Sequence, residues 1–187
     1  MGRKETRMRR ILPLVLVLGL GGCIELPKLN VGAGISAVVP NESTLENTYQ
    51  VDLFARIDVA MLQVEAMVGW RSYEYTPEGL SDGEELTVIP IAVTARYVIG
   101  ATAAKLVMGG GLVWNVNDLS EAMTTVQNVD SALGYRLLVG ANIVLPAGFN
   151  LGVEAIYDIS KAALDSGTLD ELDMSGLIGR VTLAYHF

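Results

Sequence analysis

From residue 27 onward, apolar and polar side chains alternate with a period of two. On a pleated strand that period sends successive side chains to opposite faces. Stretches 29–39, 48–58, 62–74, 86–99, 102–116, 128–145, 149–160 and 175–187 carry the pattern. In 48–58, Tyr49, Val51, Leu53, Ala55 and Ile57 oppose Gln50, Asp52, Phe54, Arg56 and Asp58. In 62–74, Leu62, Val64, Ala66, Val68 and Trp70 oppose Gln63, Glu65, Met67, Gly69 and Arg71. In 128–145, Val129, Leu133, Tyr135, Leu137 and Val139 oppose Asp130, Gly134, Arg136 and Gly140. In 149–160, Phe149, Leu151, Val153, Ala155 and Tyr157 oppose Asn150, Gly152, Glu154, Ile156 and Asp158. In 175–187, Leu177, Val181, Leu183, Tyr185 and Phe187 oppose Arg180, Thr182 and His186. The pattern predicts strands with one apolar and one polar face.

The connections sharpen this expectation. Tight ones at 59–61, 100–101 and 146–148 alternate with long polar ones at 40–47, 75–85, 117–127 and 161–174. Transmembrane barrels alternate short periplasmic turns with longer external loops in this way. The predicted fold is therefore all-β: an eight-stranded antiparallel up-and-down transmembrane β-barrel over residues 29–187. Both termini then lie on the periplasmic side. Gly32, Gly34, Gly69, Gly109, Gly111, Gly134, Gly140, Gly152 and Gly176 share the polar parity. A strand face in bulk water is richer in Lys, Glu and Thr, whereas small residues suit the crowded interior of a narrow barrel. The apolar parity is expected to face lipid, where a mid-membrane Lys or Arg costs about 2–4 kcal/mol. Tyr49, Trp70 and Trp114 fall toward the long-loop ends, and Tyr97, Phe149, Tyr185 and Phe187 toward the tight-turn ends. They predict two aromatic girdles, into which Tyr135 and Tyr157 fit less cleanly. Pro90 is expected at the outer rim, leaving 91–99 to cross. A soluble barrel of the lipocalin type is the competing architecture. It would turn the apolar parity inward, as a lipid-anchored carrier.

The terminal strand, with alternating apolar and aromatic residues ending in Tyr185 and Phe187, resembles the β-signal of bacterial outer-membrane barrels. Nearly all of the chain past residue 28 is similar in pattern to small OmpA-like and OmpW-like barrels. The resemblance implies an integral place in the outer membrane, with outer-membrane lipids and lipopolysaccharide as surroundings. It also implies recognition of Tyr185 and Phe187 by the barrel-assembly machinery. At the other end, Arg3, Lys4, Arg7, Arg9 and Arg10 precede a short apolar run at 11–20, which reads as a secretory signal over 1–22. Leu20-Gly21-Gly22-Cys23 resembles a lipobox, which implies a Cys23 diacylated on its thiol and a lipidated linker at 23–28. The plainer alternative makes Cys23 a small residue beside an ordinary cleavage site. Ile24 stands where the inner-membrane retention signal of lipoproteins has Asp.

Charge removes several function classes. The chain has 13 basic and 21 acidic residues, a net charge of −8, and five of the basic residues stand in the first ten positions. That balance does not suit a nucleic-acid partner. One cysteine forms no intrachain disulfide. The polar parity places Asp52, Arg56, Glu65, Arg71, Arg96, Lys105, Arg136, Glu154, Asp158 and Arg180 in the lumen. Buried charges need partners. A salt-bridged plug filling an eight-stranded bore is the favoured reading, and a selectivity filter in a narrow pore for small or apolar solutes is the alternative.

No catalytic, metal or cofactor site is expected. The single histidine, His186, falls near the tight-turn end, while Ser175 falls at the opposite end of the same strand. Gly109-Gly110-Gly111 lacks the Gly-Lys-Ser/Thr of a phosphate loop. The acidic outer connections, from Glu42 and Glu46 to Glu171 and Asp173, lack calcium-loop spacing and read as solvated loops. Their functional alternative is divalent-cation bridging to lipopolysaccharide phosphates, or docking of a basic partner. The sequence does not fix an oligomeric state.

The lipobox reading gives the first prediction. Mass spectrometry of the mature N-terminus is expected to find Cys23 as the first residue, carrying a diacylglyceryl group. An unmodified terminus would refute lipidation.

Overall fold

The computed structural model describes residues 27–75, 84–100, 103–119, 126–166 and 171–187. Cys23 and the segment before it lie outside the described residues. The strands are β1 (Lys28–Pro40), β2 (Thr48–Val59), β3 (Leu62–Tyr75), β4 (Glu84–Ile99), β5 (Ala104–Leu119), β6 (Val126–Val129), β7 (Ala132–Val144), β8 (Phe149–Ile159), β9 (Lys161–Ser166), β10 (Glu171–Asp173) and β11 (Gly176–His186). Eight of them close a barrel in the order β1-β11-β8-β7-β5-β4-β3-β2, all pairs antiparallel. The expected eight-stranded up-and-down barrel is thus the observed fold.

Closure depends on the terminal strand. β11 pairs with β1 from Asn30↔His186 to Pro40↔Gly176, and the Phe187 N–H donates to Leu29 O at 2.9 Å. Every barrel strand then has two neighbours and no edge is left open. Phe149, Tyr185 and Phe187 stack edge-on beside this seam, with centroids 5.3 and 5.0 Å apart.

The alternation resolves into inside and outside. Leu53, Leu133 and Val153 are exposed at 65%, 68% and 58%, whereas Arg96, Glu65 and Arg180 on the opposite parity are each at 1%. The apolar parity therefore faces out. This overturns the lipocalin-like carrier, whose apolar face would line an internal ligand cavity. Trp70 and Trp114 sit toward the end bearing the long connections. Tyr157 joins that end, where its hydroxyl accepts from Asn41 Nδ2 at 2.6 Å, and Tyr135 lies near the same end of β7.

Two expectations need correction. First, 128–145 is not one strand. β6 ends at Val129, Asp130 and Ser131 break the ladder, and β7 begins at Ala132. The Asp130 N–H donates to Ala163 O at 3.0 Å, so the chain changes partner there. Parity inverts across the break: Val129 is buried and Asp130 exposed, the reverse of the period-two expectation. Second, 161–174 is not wholly a polar connection. β9 pairs with both β6 and β10, making a small three-stranded sheet beyond the barrel in the order β10-β9-β6. Pro90 lies inside β4, as it does in the expected stretch 86–99. β4 runs outward from it as far as Glu84, and the β3–β4 ladder is interrupted between Val68↔Ile91 and Arg71↔Val88. Proline has no N–H to offer there, and Gly69 lies beside the ring, where a Cβ would stand 3.1 Å from Pro90 Cγ.

The small outer sheet has an apolar reason. Val129, Leu164, Leu172 and Met174 are buried in one cluster with Leu45, Tyr73 and Leu86 at the outer mouth. The exposed Lys161 ammonium, 2.9 Å from Glu171, has its pKa raised by that hydrogen bond and ion pair. At the tight-turn end, Gly100 takes φ +125°, and a Cβ there would also stand 2.8 Å from Ala104 O. That turn suits glycine alone.

The cap generates a prediction. Leu172→Ala removes a fully buried side chain, with a local cost of about 2–5 kcal/mol. Limited proteolysis is expected to cut within 161–174 much faster, while the barrel strands remain protected.

Candidate functional site

Among the described residues, the lumen concentrates buried charge. Period two aims Asp52 and Arg56 of β2, Glu65 of β3, Arg96 of β4, Glu154 of β8 and Arg180 of β11 inward, and all are buried. Some of the pairs are direct cross-strand neighbours: Arg56↔Glu65, Arg180↔Glu154 and Arg136↔Asp158. Others span the bore. β3 and β8 stand diametrically opposite in the ring of eight. From those walls Glu65 and Glu154 each accept from the same three arginines.

Glu65 accepts from Arg56 Nε, from Arg96 Nη1 at 2.6 Å and from Arg180 Nη1 at 2.9 Å. Glu154 accepts from Arg56 Nη2 at 3.0 Å, from Arg96 Nη2 and from Arg180 Nη1 at 3.1 Å. Asp52 completes the lattice as a forked partner of Arg180, through Nη2 and through Nε at 3.1 Å. Three arginines thus balance three carboxylates. Bidentate guanidinium contacts fix the orientation of both groups. Arg136 and Asp158 form a second forked pair, both bonds 2.7 Å.

The remaining predicted lumen residues stand apart. Arg71 is buried without a carboxylate partner among the described residues. It donates to Gln50 and Asn115, each at 3.4 Å, and lies 5.3 Å from the Tyr73 ring centroid. Lys105 is half-buried at the tight-turn end and lines a cavity of about 260 Å³ with Asn30, Gln63, Asn142 and His186. His186 and Ser175 lie at opposite ends of β11 and do not meet.

Sequence reasoning left the apolar members of the lumen unread. Phe54 is buried between two guanidinium groups, Arg56 at 4.1 Å and Arg180 at 4.8 Å from its centroid. Cation–π attraction adds to the ion pairs there. The signal was available: Phe54 shares parity with Asp52 and Arg56. Small residues make the space. A Cβ on Gly34 would stand 2.8 Å from Asp52 Oδ1 and 2.9 Å from Arg180 Nε. Among the described residues, no group of three or more His, Cys, Asp or Glu side chains is placed to hold a metal.

No family model and no curated protein matches the sequence. Solved structures do match the fold. Neisserial surface protein A superposes with a TM-score of 0.61 at 12% identity, covering 89% of this chain and 100% of its own. Outer membrane protein W of Escherichia coli gives 0.58 at 12% identity, covering 87% and 99%. A major outer membrane protein from Thermus thermophilus gives 0.56 at 13% identity, covering 87% and 100%. The chain shares the architecture of these small outer-membrane barrels.

Glu65→Gln tests the lattice. It leaves three buried arginines short of a counter-charge, and breaking buried pairs in this way costs about 3–5 kcal/mol. Urea unfolding of the refolded barrel is expected to show a lower midpoint and an unfolding free energy smaller by that amount.

Proposed function

We propose that this chain is an integral β-barrel of a bacterial outer membrane with a closed bore, acting in envelope structure or through its surface rather than as a conduit. The observation that carries the reading is its inside-out chemistry. Charges are paired across the lumen, while the wall presents a continuous belt of exposed Val, Leu and Ile edged by aromatics. In water such a belt far exceeds the apolar patch a monomer tolerates; against lipid it is the expected surface. Barrel strands of 11 to 16 residues meet or exceed the roughly nine to eleven needed to cross. The fold shared with small outer-membrane barrels supports this placement.

Above the ionic lattice and within it the bore is also occupied. Tyr73, Leu86, Leu172 and Met174 cover it on the outer side, and Phe54 and Met67 are packed inside it. A continuous water path has to displace several of these at once, which disfavours the narrow-pore alternative. Outer-membrane lipids and lipopolysaccharide are the proposed surroundings, with Cys23 as an added lipid anchor. Tyr185 and Phe187, exposed at the barrel seam, are the proposed contact for the assembly machinery. The acidic outer connections suit divalent cations or a basic partner. One structural neighbour, Ail of Yersinia pestis, was solved with the heparin analogue sucrose octasulfate. Acidic loops do not suit a polyanion of that kind.

The test is mobility of the outer-membrane fraction in SDS gels, with and without boiling, for the native chain and Cys23→Ala. A heat-dependent shift is expected in both, together with no stable single-channel steps in planar bilayers. Release of Cys23→Ala as a soluble protein would overturn membrane integration, and regular conductance steps would overturn the closed bore.

A further inference from the structure

We propose that the outer wall across β4 and β5 seats one acyl chain of an inner-leaflet glycerophospholipid, with the glycerol and phosphate of that lipid lodged between two tight turns. The inference rests on the outer-membrane reading above. Ala95 and Gly110 are cross-strand partners on the lipid-facing parity, so two small residues lie side by side there. Larger exposed side chains frame them: Val93 and Leu112 in one flanking row, Tyr97 and Met108 in the other. Leu137 closes the end, its Cδ2 3.5 Å from where a Cβ on Gly110 would stand. The result is a groove of about 560 Å³ in the belt.

The groove is apolar and lies at the depth of a lipid tail. Arg96 beneath it turns its guanidinium into the lumen, onto Glu65 and Glu154, and the Tyr97 hydroxyl is turned aside to donate to Met61 Sδ at 3.3 Å. Four residues separate Ala95 from Ile99 at the turn, about 13 Å along the strand and about 10 Å of depth at a tilt of about 40°. One leaflet contributes about 15 Å of hydrocarbon. Against lipid the hydrophobic effect selects nothing, and a groove wins over a flat wall by closer van der Waals contact. A second barrel is convex and meets the taller frame residues first, whereas a methylene chain is thin enough to lie between them.

A second cleft, of about 180 Å³, adjoins the groove at Tyr97. It lies between the β2–β3 and β4–β5 connections, at the membrane surface, with Met61, Ile99, Gly100 and Lys105 in its lining. Met61 O accepts from the Val98 N–H at 2.8 Å, which ties the first turn to β4 and fixes the cleft. Lys105 is the one charged residue of this lining, and Asp58 borders the lumen mouth instead. An ammonium offers three donors and no acceptor. The ester and phosphate oxygens of a glycerophospholipid are acceptors only, so the match is one of donor to acceptor and does not depend on the net charge of the mouth. An apolar groove that leads up to a donor at the interface has the order of an amphiphile, tail and then head.

The experiment uses the full-length mature protein, refolded in a non-ionic detergent and first checked for heat-dependent mobility. Loss of that mobility shift would sink the membrane reading; its presence leaves this site to be judged alone. Palmitoyl-oleoyl phosphatidylethanolamine is added at rising mole fraction and followed by native mass spectrometry and by methyl NMR of Met61, Met108 and Ile35. Ile35 is the control, since β1 stands opposite β5 in the ring. One retained lipid per chain is expected, with saturating shifts at Met61 and Met108 and none at Ile35. Ala95→Trp fills the groove from an exposed position and is expected to weaken retention about tenfold. Ala95→Leu serves if that variant misfolds, and Lys105→Met is expected to weaken retention severalfold. Glycerophosphoethanolamine, a head without tails, is expected to leave the methyl signals in place. No retained lipid, or unchanged retention in a folded Ala95 variant, would overturn the proposal. So would unsaturating shifts that include Ile35, which would mean annular lipid only, equal shifts with the head alone, or Met108 shifts that follow protein concentration without lipid, which would make a second copy the occupant.

Discussion

A guanidinium inside a narrow barrel has nowhere to go but another wall of the same barrel. That constraint organises the molecule. Eight strands leave a bore that side chains fill, and a belt of apolar residues outside lowers the local dielectric. Ion pairs strengthen there, and unpaired ions become costly. Two glutamates on opposite walls, each shared by three arginines, spread every charge over several partners. The lattice therefore ties β2, β3, β4, β8 and β11 together across the lumen, where no backbone hydrogen bond can reach.

Long side chains in a crowded bore require short neighbours. Arg96 stands opposite Gly109 on β5, Glu154 opposite Gly140 on β7, and Asp52 opposite Gly34 on β1. Each glycine leaves the room that the facing charged side chain occupies. A register slip of one residue would send the charges to the outer wall and the Val and Leu rows to the lumen. The lattice and the glycines thus specify register as well as stability, and the eleven paired positions of β1 and β11 close the ring only in that register.

Much of this was legible because a pleat has a fixed period. Parity alone assigned Arg56, Glu65, Arg96, Glu154 and Arg180 to one face, and the glycine-rich character of that face indicated which side was inside. Cross-strand neighbours such as Arg56 and Glu65 follow from a two-residue turn at Ala60 and Met61. Partners across the bore, such as Arg96 with Glu154, depend on strand order and shear, which no local pattern encodes. The outer sheet was missed for a related reason. Ala162, Leu164, Leu172 and Met174 also alternate, but within a segment rich in acidic residues that reads as a loop. Asp130 and Ser131 look like two more members of a long strand until a new partner, Ala163, is seen to take the backbone hydrogen bond.

The distribution of charge gives the two ends of the barrel different characters. The chain as a whole is acidic at −8, yet its lumen holds two cations, Arg71 and Lys105, without carboxylate partners among the described residues. The acid is concentrated in the outer connections, at Glu42, Glu46, Asp118, Glu171 and Asp173 among others. Fields from exposed charges extend about a Debye length, roughly 8 Å at physiological salt. An anion approaching the outer mouth therefore meets repulsion first and then an apolar cover, and Arg71 beneath it is sealed by Tyr73. An anion approaching the tight-turn end meets short turns, a polar cavity and Lys105. The barrel is electrostatically polarised along its axis, and any anionic ligand of its lumen has to come from the side of the turns.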